Sequence, residues 1–149
     1  MTVTYDDVYR AQCAISLADQ VLSKADFEHA RVVSLSLTTL RQRDLGVLHD
    51  VLEETNSDQK VIDLILSVFD QEFVDDLLLL THSEGRYRKY IQKLAESGRA
   101  DAIRVKLADL EHNMDLSRLE KVEQYHLDRN KKYEKAHRIL TEALTLVQS

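Results

Sequence analysis

The sequence predicts an all-α fold, and three observations predict it. There is no proline among the 149 residues and only three glycines, which removes most turn-rich β architectures. Apolar side chains recur every three or four positions over long stretches, the period of one helix face. Hydrophobic residues make up 44% and charged residues 31%, a balance that excludes both disorder and a membrane-embedded chain. At this length one domain over residues 1–149, with one core, is expected.

The first helix is read from Val8, Ala11, Ile15, Ala18 and Val21-Leu22, with Asp6 and Asp7 suited to the positive end of its dipole. A second is expected from Asp26 to about Leu40, burying Phe27, Val33, Leu37 and Leu40, although β-branched and serine residues make it a weak helix former. A third runs from about Asp44 to Glu54 and stops at Thr55-Asn56-Ser57, where Asn56 or Ser57 can cap the next helix. The stretch from Asp58 to Leu80 is dense in apolar residues and is expected to be buried and broken near Asp70. Its Leu77 to Leu80 run suits either a core or a subunit interface, which leaves a homo-oligomer open. Gly85 separates it from an amphipathic segment, Tyr87 to Glu96, closed by Ser97-Gly98. A helix from about Ala100 to Met114 follows. The last, from about Arg118 to Val147, is long and kinked, with Tyr133, Ala136, Leu140, Ala143, Leu144 and Val147 on one stripe. No internal repeat or linker divides the chain.

With 20 basic and 26 acidic residues the net charge is −6, so the average field does not draw the molecule to nucleic acid or anionic lipid. No helix-turn-helix signature is present, and neither a nucleic-acid polymer nor a membrane is an expected partner. The single Cys13 cannot form an internal disulfide, and the start lacks a basic-then-apolar leader, so the chain reads as cytoplasmic. Charge is locally different from Glu84 to Lys106, where seven basic residues stand against three acidic ones. There Arg86 and its neighbours suit phosphate oxygens, and Tyr87 or Tyr90 suits stacking on a base.

The chemistry is concentrated in His49-Asp50 and Glu53-Glu54. On a helix Glu53 lies one turn beyond His49 and Glu54 one turn beyond Asp50, so an imidazole and carboxylates can converge. Neutral imidazole with carboxylate suits Mn²⁺, Fe²⁺ or Zn²⁺, and a carboxylate one turn away can orient an attacking water. Lys106, Asp109 and Asn113 share a face of a later helix, and Asp109 is flanked by Leu107, Ala108 and Leu110, where a carboxylate is costly unless paired or bound to metal. His29, on a helix that can pack against the His49 helix, can supply a further nitrogen. Each has a plainer reading: a surface pair for His49-Asp50, an intrahelical ion pair for Lys106 and Asp109, a satisfied or exposed histidine at position 29, a solvated face for the basic segment. His82, His112, His126 and His137 lack a partner pattern and read as surface or core histidines.

In this order, His29, His49-Asp50 and Asp109 resemble the H…HD…D set of HD-domain metal-dependent phosphohydrolases, closest to the RelA/SpoT-type alarmone hydrolase branch. That branch carries HDxxED and KxxDRxxN; here they read His49-Asp-Val-Leu-Glu-Glu54 and Lys106-Leu-Ala-Asp-Leu-Glu-His-Asn113. The segment Leu80 to Ile91 is also similar, and the likeness covers roughly residues 10 to 140. It implies an HD-type helical bundle in which His29, His49, Asp50 and Asp109 hold one divalent metal, most often Mn²⁺. Glu53 and Glu54 would act on the water, and Lys106, Asn113, Arg86 and Tyr90 would meet a nucleotide, with (p)ppGpp 3′-pyrophosphate hydrolysis as the implied reaction. Other HD nucleotidases, or a non-catalytic nucleotide-binding module, remain alternatives. Around the first histidine this chain reads Lys24-Ala-Asp-Phe-Glu-His-Ala-Arg31, without the Gly, Tyr and Pro of the alarmone branch.

Overall fold

The computed structural model describes residues 2–148, and its regular elements are all helical. In order they are α1 (Tyr5–Val21), α2 (Lys24–Leu35), α3 (Leu40–Leu48), α4 (Val51–Glu54), α5 (Gln59–Leu66), α6 (Gln71–Leu79), α7 (Tyr87–Glu96), α8 (Ala100–Met114) and α9 (Gln124–Gln148), with a 3-10 turn at Leu116–Arg118. Among the described residues there is no strand, and no helix is long and apolar enough to cross a membrane.

Helix α3 lies at the centre, with α1, α2, α6 and α8 packed on it. Gln42, Asp44, Leu45, Gly46, Val47 and Leu48 are all buried, so this helix has no solvated stripe and its sequence shows no one-sided periodicity. Gly46 sets the closeness of α2. A Cβ there would lie 2.9 Å from Leu37 Cδ1 and 3.1 Å from the Ser34 Cα, so the Leu37 side chain would have to move and the α2 backbone give by a few tenths of an ångström.

The expected second helix, Asp26 to about Leu40, is in fact two elements. Helix α2 ends at Leu35, where Ser36 Oγ donates to Val33 O at 2.7 Å. Helix α3 restarts behind a capping box: Thr39 Oγ1 accepts from Gln42 N at 3.1 Å, and Gln42 Oε1 accepts from Thr39 N at 3.4 Å. The expected third helix therefore begins earlier than Asp44, and it is interrupted by a turn at His49-Asp50, where Asp50 (φ −100°, ψ −5°) lies at the edge of the helical region. Asn56 and Ser57, both at φ 52°, then turn the chain, and Asp58 rather than either of them caps α5 by accepting from Lys60 N at 3.0 Å.

Later boundaries follow expectation more closely. The break near Asp70 is present, its carboxylate accepting from Phe73 N at 3.0 Å, and Gly98 closes α7 at φ 70°. Leu77 and Leu80 belong to the core, while Leu78 is exposed. The last helix starts at Gln124, not near Arg118, because Asp115 accepts from Ser117 to close the 3-10 turn and His126 Nδ1 accepts from Glu123 N at 2.9 Å. Ala136 and Leu140 are buried and Tyr133, Ala143 and Leu144 pack beside them, but Val147 is exposed.

Among the described residues one buried acid takes part in no ion pair. Asp44 sits on α3 in a cavity beside Asp7 and Arg10, and burial pushes its carboxyl up to about 6 against a smaller pull from Arg10. Raised above its unfolded value, the group stabilises the fold at acid pH, and that contribution is lost as pH rises through about 6. Asp44→Asn is accordingly expected to stabilise the protein at pH 7.5 by about 1 kcal/mol after solvent screening, and to be neutral near pH 4. Urea midpoints at the two pH values check this; equal shifts at both would sink it.

Candidate metal centre

Three elements bring the candidate ligands together. His29 comes from α2, His49 and Asp50 from the turn after α3, and Asp109 from α8. One ligand atom from each of His29, His49 and Asp50 lies within 4.8 Å of the others. Asp109 Oδ1 completes the cluster at 2.7 Å from His29 Nε2 and 3.3 Å from His49 Nε2, and Asp50 Oδ2 lies 3.2 Å from the same His49 nitrogen.

His49 carries the clearest sign of an intended ligand. Its ring is 2% exposed, and Nδ1 lies 2.6 Å from Gly46 O; a carbonyl only accepts, so Nδ1 holds the proton. Nε2 is buried and makes no hydrogen bond but faces the Asp50 and Asp109 carboxylates, and although burial disfavours charge on the ring, these two carboxylates hold the imidazole well above its ordinary pKa. A divalent cation in place of that proton would be held by the same two carboxylates. Two imidazoles with two carboxylates are a fitting donor set for Mn²⁺, Fe²⁺ or Zn²⁺.

The electrostatics of the cluster are those of tightly compensated charge. Burial disfavours the Asp109 carboxylate, but the charges of His49 and Lys106 outweigh it and hold the carboxyl well below the usual range. Lys106 Nζ donates to Asp109 Oδ2 at 2.8 Å and Asn113 Nδ2 to Oδ1 at 3.0 Å, the spacing of three and four residues serving the orientation that the sequence suggested. Burial disfavours the Lys106 ammonium as well, and Asp109 nevertheless keeps it protonated.

The cluster forms one wall of a cavity of about 430 Å³. Of the expected site residues, His29, Asp50 and Glu53 border it, together with Asp109, Lys106, Asn113 and Tyr90, while His49 lies buried behind. Glu53 Oε1 accepts from His82 N at 3.0 Å, which ties α4 to the loop before α7. The Tyr90 hydroxyl donates to Leu80 O at 2.7 Å. Two expected residues do not arrive: Glu54 is exposed and does not border the cavity, and Arg86 is an exposed residue preceding α7. The turn from Asp50 to Glu54 is helical, with Glu54 N donating to Asp50 O at 3.0 Å, yet the Glu54 side chain lies on its exposed side.

Other residues occupy the wall instead. His82 is one of them, stacked on Tyr90 with centroids 4.7 Å apart, while His112 does not border the cavity but stacks on His29, its Nδ1 2.6 Å from His29 Nδ1. Tyr87, Tyr133 and Arg118 complete the wall, and burial pushes the Tyr87 hydroxyl up to about 12. His112 was within reach of a sequence reading, because it follows Asp109 at helical spacing; His82 lies in a loop and left no periodic signal. No protein-family model matches the chain, and no curated protein matches it.

Proposed function

We propose that this chain is an HD-type, metal-dependent phosphohydrolase that acts on a nucleotide, with the 3′-pyrophosphate of a guanosine tetraphosphate-type alarmone as the leading substrate. The observation that carries the reading is the buried Nε2 of His49, close to two carboxylates but in no hydrogen bond, set among His29, Asp50 and Asp109. These four residues would hold one divalent ion, Mn²⁺ by preference, which would supply Lewis-acid polarisation of a phosphoryl oxygen. Glu53, bordering the cavity, would orient and deprotonate the attacking water; Glu54 has no place in that role. Lys106 keeps its charge at the cavity wall and would offset charge developing on phosphate, and Tyr87, Tyr90 and His82 offer flat surfaces for a base.

A second substrate reading rests on the start of α2. The cavity is bordered there by Ala25 and Asp26, an acidic rim without an aromatic ring, which favours a nucleotidase of different specificity. The test is chromatographic product analysis with Mn²⁺ and a panel of alarmones and nucleoside mono-, di- and triphosphates, with Asp50→Ala as control. Pyrophosphate release from alarmones alone supports the leading substrate. Cleavage of other nucleotides supports the second, and binding of nucleotide without any metal-dependent product overturns both.

His112 has a positioning part in this scheme. The two Nδ1 atoms lie 2.6 Å apart, and with a metal on His29 Nε2 the proton between them would sit on His29, with His112 accepting it. His112→Ala is expected to weaken Mn²⁺ binding about 10- to 100-fold with an unchanged circular dichroism spectrum. Affinity within twofold of the parent, measured calorimetrically, would remove His112 from the scheme.

A further inference from the structure

On the face of the molecule where α7 packs on α9 there is a second cavity, of about 700 Å³, within the size range of small-molecule sites. Its walls carry Arg88 from α7 and Lys131, Lys132, Lys135 and Arg138 from α9, against only Asp128 and Glu142, a local excess of three positive charges in a chain of net charge −6. Among the described residues none of these five cations is in an ion pair. Lys132 instead lies over the Tyr87 ring, with Nζ 4.4 Å from its centroid.

Lys131 and Lys135 are one turn apart, and Arg138 follows three residues later. Like charges at this spacing cost a helix some tenths of a kcal/mol, which a bound anion would relieve. The floor is apolar: Ile91 and Ala136 are buried and Ile139 packs partly against the core. Such a groove matches a ligand with several phosphate charges at one end and a flat or apolar body at the other.

We propose that the α7–α9 groove is a second binding site, for a small polyphosphate-bearing ligand such as a nucleoside diphosphate, distinct from the metal cavity. Tyr87 borders both cavities, so an occupant of the groove touches the wall of the metal centre. The proposal stands independently of the metal chemistry, because none of the groove's cations belongs to the metal cluster.

The test is a titration of the full-length ¹⁵N-labelled protein in EDTA with sodium tripolyphosphate and, separately, with ADP. Saturable amide shifts are expected at residues 88–91 and 128–142. Lys131→Glu with Lys135→Glu, both at exposed positions, is expected to weaken binding at least ~10-fold while leaving a Mn²⁺ titration of the same variant unchanged. If the double reversal does not fold, Lys131→Ala with Lys135→Ala gives the same readout. Tighter binding of ADP assigns a nucleotide, and tighter binding of tripolyphosphate assigns a free polyphosphate; both uphold the site. Absence of saturable shifts in the groove overturns it, as does equal binding by the folded variant. A single-stranded oligonucleotide that binds ~10-fold more tightly than ADP would make the surface a nucleic-acid groove and also overturn the proposal.

Discussion

Asp109→Ala is expected to abolish Mn²⁺ binding and to lower turnover at least ~10³-fold, the several kcal/mol that a Lewis acid contributes to a phosphoryl-transfer transition state. The size follows from how many groups converge on one carboxylate: His29 Nε2 at 2.7 Å, Lys106 Nζ at 2.8 Å, Asn113 Nδ2 at 3.0 Å and His49 Nε2 at 3.3 Å. Removing it strands a buried ammonium as well as two imidazoles, so the variant is expected to lose stability too. Asp50→Ala separates the two effects, because the Asp50 side chain is 35% exposed and bonds to no backbone group. Calorimetric Mn²⁺ titration of both variants, with thermal melts, is the check. Parental Mn²⁺ affinity in a folded Asp109→Ala protein would mean that the cluster is an ordinary ion-pair network.

Asp76→Ala is expected to destabilise the protein by about 3–5 kcal/mol and to lower Tm by roughly 10 °C or more, without touching the metal cavity. Asp76 is 1% exposed on α6, and both its oxygens are taken, Oδ1 by Arg99 Nε at 2.7 Å and Oδ2 by Arg41 at 2.8 Å. Arg41 also meets Asp101 Oδ2 at 2.7 Å, and Gln42 donates to Asp101 Oδ1 at 3.0 Å, so one network joins α3, α6 and the start of α8. Loss of Asp76 leaves two guanidinium groups facing each other across a partly buried junction. A melt within 2 °C of the parent would show that solvent replaces the carboxylate at little cost.

This network was invisible in the sequence. Arg41, Asp76 and the Arg99–Asp101 pair are separated by tens of residues, and each has an ordinary surface reading at its own position. The same holds for Asp44, which interrupts no pattern yet is buried by α1 and the α5–α6 connection. Helix boundaries were legible where a capping side chain stands alone, as at Asp70 and Ser97-Gly98, and misread where short polar residues compete, as at Ser36 to Thr39. The capping box Thr39-Leu-Arg-Gln42 was present to be read.

The all-helical class, the turn at Asp70 and the alignment of Lys106, Asp109 and Asn113 on one face follow from composition and spacing alone, because a helix places residues three and four apart together whatever surrounds it. The meeting of His29 with Asp109, 80 residues further on, does not, nor does the stacking of His112 on His29 or the displacement of Glu54 from the cavity. Those depend on how α2, α3 and α8 pack, with Gly46 letting the Ser34 backbone of α2 approach α3, and on the chain's course past the turn at His49-Asp50. Local periodicity carries no information about such contacts between distant segments; burial of the shared core does.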